Sequence, residues 1–190
     1  PMIEFRTTPD CNLEYGEHDG ASWSAVAATA TSLCDSVQHA VAVVRDTGGA
    51  VTLYVDGAQV ANGSTHATLA SGLSYTMYTA RARGLDQVFS GDIAYLAIAG
   101  SALSAAEVLV AASRQVFSHM PEEVYAGLVE CDRGSIQSDA TAAGLPMNNE
   151  PFTVLLEFKC SSISASENTP DRLYSWGSGN PRSKAFGISI

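Results

Sequence analysis

The sequence predicts an all-β protein: two antiparallel sheets stacked as a sandwich, with one short helix. Three observations carry that prediction. Runs of alternating or continuously apolar residues, rich in Val, Ile, Tyr and Phe, recur along the chain. Glycine, asparagine and aspartate punctuate several of them at hairpin spacing. A clear helix start occurs in one place, among 190 residues that are 46% hydrophobic and 16% charged.

The elements follow in order. Residues 39–45 (HAVAVVR) are apolar and β-branched, and 51–55 (VTLYV) alternate. Thr47-Gly48-Gly49 closes the hairpin between them. Asp56-Gly57 then supplies the positive-φ positions of a two-residue turn before AQVANG. Further strands read as SYTMYTARA (74–82), DIAYLAIAG (92–100), PFTVLLEFKC (151–160), RLYSW (172–176) and AFGISI (185–190). Along 151–160, Phe152, Val154, Leu156, Phe158 and Cys160 share one face, and Thr153, Glu157 and Lys159 the other, interrupted by Leu155. That pattern predicts a half-buried strand. Ser104-Ala105-Ala106-Glu107 is a capping box, so a helix of two to three turns begins near 105. Residues 161–171 (SSISASENTPD) read as a long polar loop within one domain.

Composition narrows the partners. Acids outnumber bases 20 to 10, and Lys159 and Lys184 are the two lysines. A net charge of -10 opposes binding to nucleic acid or to an anionic membrane surface. No apolar run approaches the roughly 20 residues of a bilayer span, so membrane insertion is not expected. The opening PMIEFRTT lacks a basic stretch followed by an apolar one. Either export follows another route or a signal is missing from this sequence; an extracellular or virion-surface location is the expectation. Cys11, Cys34, Cys131 and Cys160 contain no C-x-x-C pair, which argues against a zinc knuckle or redox pair. Free buried thiols are expected ahead of one or two disulfides.

His39 through Gly57 reads "H-x-V-x-V…G-x-V-x-L-Y-V-D-G". Phe89-Ser90-Gly91-Asp92-Ile93, with Leu96, Ile98 and then Ala102-Leu103-Ser104-Ala105-Ala106-Glu107, reads "F-x-G-x-I-x-x-V-x-I…A-L-S-x-x-E". Together they resemble laminin-G-like and pentraxin-like domains of the concanavalin A-like lectin/glucanase superfamily. Val37 stands where that family often has tryptophan, and Ala94 where an acid often follows. The resemblance implies a jelly-roll sandwich. The family's opening strands are also matched, by Phe152-Thr153-Val154, Leu173-Tyr174-Ser175-Trp176-Gly177 and Phe186-Gly187-Ile188-Ser189-Ile190. Here they follow the closing helix. Residues 1–119 therefore resemble the C-terminal part of the family domain and 120–190 its N-terminal part, with 1–190 forming one domain. Circular permutation explains the order; exchange between chains and a fragment of two repeats are the alternatives.

Several residues invite chemistry. Glu14, Glu17, His18 and Asp19 form a dense ionisable cluster, but E-x-x-E-x-D is not the E-x-D-x-x-E run of the superfamily's glycosidases. A solvated loop is the simpler reading, ahead of metal binding or hydrolysis. The resemblance makes calcium a candidate cofactor, with Asp132, Asp139 and Glu150 as candidate ligands, and Asp86 and Asp92 elsewhere. Asparagine and aspartate in turns are the plainer account. Trp23, Trp176 and Tyr15 are candidates to stack on a sugar, as are Tyr75 and Tyr78, with Asn148 and Asn149 as polar partners; core packing competes for each aromatic. Trp23, in the loop-like GASWSA, is the aromatic expected to be exposed. His39 reads as structural, with a hydrogen-bonded ring, while His18, His66 and His119 lack metal-like spacing. Asn62-Gly63-Ser64 fits a glycosylation acceptor, or more simply the turn after the hairpin.

The leading expectation is a non-enzymatic module that binds carbohydrate, a glycoprotein or a cell surface. One rival is a structural or decoration protein of a virion or fibre, where an N-terminal Pro fits removal of an initiator Met. The other is a glycan hydrolase or lyase. A homo-oligomer is expected, because a sandwich that starts mid-order has edges to protect.

Overall fold

In a computed structural model of the chain, residues 2–7, 10–18, 23–64, 76–79, 91–113, 136–137, 150–160 and 172–177 are described. The strands are β1 (Met2–Thr7), β2 (Asn12–His18), β3 (Trp23–Ser32), β4 (Gln38–Arg45), β5 (Ala50–Val55), β6 (Ala58–Ser64), β7 (Thr76–Thr79) and β8 (Gly91–Ala99). Helix α1 (Ala105–Ala112) follows, then β9 (Ile136–Gln137), β10 (Phe152–Cys160) and β11 (Arg172–Gly177). All described pairings are antiparallel, in a six-stranded sheet ordered β3-β2-β1-β11-β7-β9 and a five-stranded sheet ordered β6-β5-β4-β10-β8. The expected two-sheet sandwich with a short helix is the observed fold. The predicted strand 185–190 and the loop 161–171 lie outside the described residues.

Spatial order departs from chain order at two places. β10 lies between β4 and β8, with Val154 opposite both Val43 and Ile98. β11 lies between β1 and β7, with Trp176 opposite Ile3 and Met77. Each sheet therefore has an interior position filled by a strand from the last forty residues of the chain. Without β10, two strands of buried apolar residues would face an open slot.

β10 is not half-buried, contrary to its alternation. Residues 152–156 are buried on both faces. Phe152, Val154 and Leu156 alternate with Thr153 and Leu155, and all five are at most 5% exposed. The reason is α1. Leu155 packs with Ala42, Val44, Tyr54 and Ala97 in a cluster completed by Val108 and Ala111 of the helix, with Leu103 against it. Leu155 is thus the mark of the helix's footprint, not a break in the polar face. Thr153, 0% exposed, satisfies its hydroxyl on the segment that leads into the helix. It donates to the Ser101 carbonyl at 2.8 Å and accepts from the Leu103 N–H at 2.9 Å.

The opposite face of this sheet presents Val41, Val43, Val51, Leu53, Phe152, Val154, Leu156 and Phe158, all nearly inaccessible. Leu13, Tyr15 and Ala27 are buried on the six-stranded sheet. Arg45 joins the core at 2% exposure, its guanidinium carbon 5.9 Å from the Phe152 ring centre. Its Nη1 donates to the Glu150 carbonyl at 3.4 Å.

One edge of the sandwich is closed by backbone proximity. A Cβ on Gly63 would lie 1.9 Å from the Val26 carbonyl oxygen, so β6 meets β3 only because residue 63 has no side chain. The Asn62-Gly63-Ser64 segment is accordingly the end of a strand, not the turn read from sequence.

Candidate functional site

One hairpin turn and one crossover meet at one end of the five-stranded sheet, and the β4–β5 loop at the opposite end sets their register. The β4–β5 loop, Thr47-Gly48-Gly49, is a three-residue connection with Gly49 at φ 83°. Asp46 shapes it: its carbonyl accepts from Gly49 N–H at 3.1 Å and its carboxylate from Ala50 N–H at 2.8 Å. Pairing back from there places residue 56 beside Ala40. The Asp56-Gly57 turn has φ 51° and 80°, both left-handed, as a two-residue hairpin demands. A Cβ on Gly57 would lie 3.0 Å from Leu109 Cα, so the helix rests directly on this turn.

Asp56 fastens the neighbouring strand twice. Its N–H donates to the Ala40 carbonyl at 2.7 Å, and its Oδ1 accepts from the Ala40 N–H at 2.9 Å. Its other carboxylate oxygen lies 2.8 Å from Nδ1 of His39. The second ring nitrogen, Nε2, lies 3.2 Å from Asp35 Oδ1. A single imidazole thus spans two carboxylates. A neutral ring donates from one nitrogen only; both contacts are donor–acceptor bonds when the ring carries two protons. The His39 side chain is 12% exposed, against 50% for Asp35 and 54% for Asp56. The hydrogen-bonded His39 ring expected from sequence is what the structure holds. Asp35 Oδ1 also accepts from the Val37 N–H at 2.8 Å, and that bond leads the causes that hold its carboxyl below the ordinary range.

Asp35 belongs to the crossover from β3 to β4. Its predecessor Cys34 forms a disulfide with Cys11, with the Cα atoms 5.6 Å apart. The expectation of free thiols is therefore corrected for this pair. The pairing of Asn12 with Ser32 brings the start of β2 and the end of β3 together, which sequence spacing alone does not reveal.

The other candidates distribute as follows. Tyr15 is 1% exposed, so its ring is committed to packing and is not available to stack on a ligand. Glu14, Glu17 and His18 lie on β2, between β1 and β3, and Glu14 is 8% exposed; a solvated loop is not what forms there. Trp23 starts β3 opposite His18 rather than sitting in a loop, and Trp176 lies on β11. Glu150 is exposed just before β10. Asp19, His66, Tyr75, Asp86, His119, Cys131, Asp132, Asp139, Asn148 and Asn149 lie outside the described residues. Among the described residues, no group of three or more His, Cys, Asp or Glu is placed to hold a metal ion. A cavity of about 20 Å³ lies between α1 and the sheet, lined by Ala42, Tyr54, Val108, Ala111 and Leu155 among others. It has room for about one water molecule, not a sugar. No described helix is long and apolar enough to cross a membrane.

Sequence reading did not unite Asp35, His39 and Asp56. The signal was present in the turn chemistry: a three-residue loop closed by Asp46 and Ala50 fixes the register that sets Asp56 against Ala40.

Comparison with known families matches residues 2–109 to the Concanavalin A-like lectin/glucanases superfamily. Comparison with curated proteins and with solved structures gave no match.

Proposed function

The chain belongs to the concanavalin A-like lectin/glucanases superfamily, and on that premise we propose that it is a non-enzymatic carbohydrate- or cell-surface-binding module. The match over residues 2–109 is the observation that carries the reading. We further infer that 1–190 is a single, circularly permuted domain. The seating of β10 between β4 and β8, from outside the matched segment, supports that order. The Cys11–Cys34 disulfide supports residence in an oxidising setting, such as an extracellular or virion surface. Trp23, Trp176, Asn148 and Asn149 are the residues we assign to ligand contact, and calcium on Asp132, Asp139 and Glu150 is the accompanying cofactor hypothesis. Assembly into a homo-oligomer would protect the sheet edges.

A glycan array probed with the purified chain, with and without a calcium chelator, tests this, alongside its mass in solution. Saturable binding to one glycan class is the expected outcome, and loss of binding with chelator would assign the metal. No binding by a stable, discrete oligomer would replace this reading with a structural role in assembly.

A further inference from the structure

The residues between the two sheets form a chain of contacts that begins at the disulfide. Leu33, 0% exposed, anchors one end, and its N–H donates to the Cys11 carbonyl at 2.9 Å. Cys34 is tied to Cys11, and Asp35, Ser36 and Val37 then cross to β4 as exposed residues. Ser36 has φ 64°, a left-handed conformation that a residue with a Cβ adopts at a cost. Beyond the disulfide, the described hold on this crossover comes from the Asp35 carboxylate: Val37 N–H at 2.8 Å and His39 Nε2 at 3.2 Å. Exposed contacts of that kind are weak in water.

We propose that the Cys11–Cys34 disulfide is a redox-sensitive clamp that positions the crossover, and through Asp35 the His39 bridge. Both cysteines are only half-buried, so a dithiol reductant can reach them. A thiolate of the dithiol attacks one sulfur and the Cys11–Cys34 bond breaks. The mixed disulfide resolves when the second thiolate closes on it, leaving two cysteine thiols and a cyclic oxidised dithiol. The released segment is short. Leu33 stays buried, and the β2–β3 and β4–β5 ladders do not depend on the bond. Residues 34–37 lose their fixed end, and Asp35 leaves His39. Asp56 does not, because two further bonds tie it to Ala40. Reduction therefore turns a ring held between two carboxylates into a ring held by one.

Hydrogen exchange on the full chain, oxidised and after treatment with a dithiol, tests the clamp, with alkylation mapping to locate the released thiols. Exchange in peptides covering 33–38 is expected to accelerate at least tenfold, with less than a twofold change over 41–45 and 152–158. Unchanged exchange at 33–38 would overturn the clamp, as would equal acceleration in the strands, or mapping that finds Cys11 and Cys34 unpaired before treatment. The coupling has its own readout in the His39 ring resonances. In the reduced protein they should move to where oxidised Asp35→Ala places them. Ring resonances that ignore reduction would sink the link to His39.

Discussion

The five-stranded sheet and the crossover that feeds it are held by different forces. In the sheet's interior, β10 is fixed by burial. Leu155 sits under α1, Leu156 faces the other sheet, and the strand is paired on both edges. At the crossover, Asp35, Ser36 and Val37 are exposed and hold position by a disulfide, a left-handed residue and a carboxylate. Burial is non-directional and cooperative, so the first region should fail all at once. Covalent and polar ties are local, so the second should loosen without unfolding its neighbours.

The largest effect is expected in the buried interior. Leu155→Asp places a carboxylate at a position 5% exposed, among Ala42, Tyr54, Ala97 and Val108. Burying an unpaired charge costs several kcal/mol, comparable to the whole stability of a domain of about 5–15 kcal/mol. The variant should be recovered unfolded or not at all. A native-like near-UV circular dichroism spectrum and an unshifted thermal midpoint would show that α1 does not cover Leu155. Next is Gly63→Ala at the closed edge. Its Cβ would meet the Val26 carbonyl at 1.9 Å, and backbone cannot yield as a side chain does. Overpacking of this kind costs about 1–3 kcal/mol, read as a lower denaturant midpoint with an unchanged slope. No loss of stability would separate β6 from β3.

The same contrast governs what the sequence could disclose. Periodicity reports burial, so the strands at 39–45, 51–55 and 151–160 were legible, and so was the sandwich they imply. What covers a face is not periodic, and Leu155 reads as an interruption in a sequence that does not show α1 above it. β3 is hidden in the sequence for another reason. Ala27 and Thr29 are buried while Ala28 and Ala30 are exposed, so alternation is real but written in residues of similar size. The Cys11–Cys34 pairing depends on a bulged β2–β3 register, which no spacing rule gives. The His39 bridge is an intermediate case. Turn chemistry at 46–50 and 56–57 fixes where Asp56 lies, but Asp35 reaches His39 only through the crossover's own path.

Helix α1 offers the smallest and most graded test, because its cap is polar while its footprint is apolar. Ser104 N–H and its hydroxyl both donate to Glu107 Oε2 at 2.7 Å, and Glu107 N–H donates to Ser104 Oγ at 3.3 Å. Those bonds from Ser104 hold the Glu107 carboxyl below its ordinary value near 4.5. A depressed folded-state value means a contribution fully present above about pH 4.5 and lost as pH falls through the lower, folded value. Ser104→Ala should cost about 1 kcal/mol at neutral pH. Glu107→Gln keeps an acceptor for the cap but removes the titrating group, so its helix should lose its acid sensitivity while staying folded. The measurement is helical signal and denaturant midpoint between pH 6 and pH 3 for the parent and both variants. If all three decline in parallel, the acid response belongs to carboxylates elsewhere, Asp35 among them, and the cap is a bystander. If only the parent declines ahead of Glu107→Gln, the helix is pinned to the sheet by apolar packing and tuned at its end by one carboxylate. That would place polar, adjustable contacts at the rim of this sandwich and fixed, apolar ones beneath it.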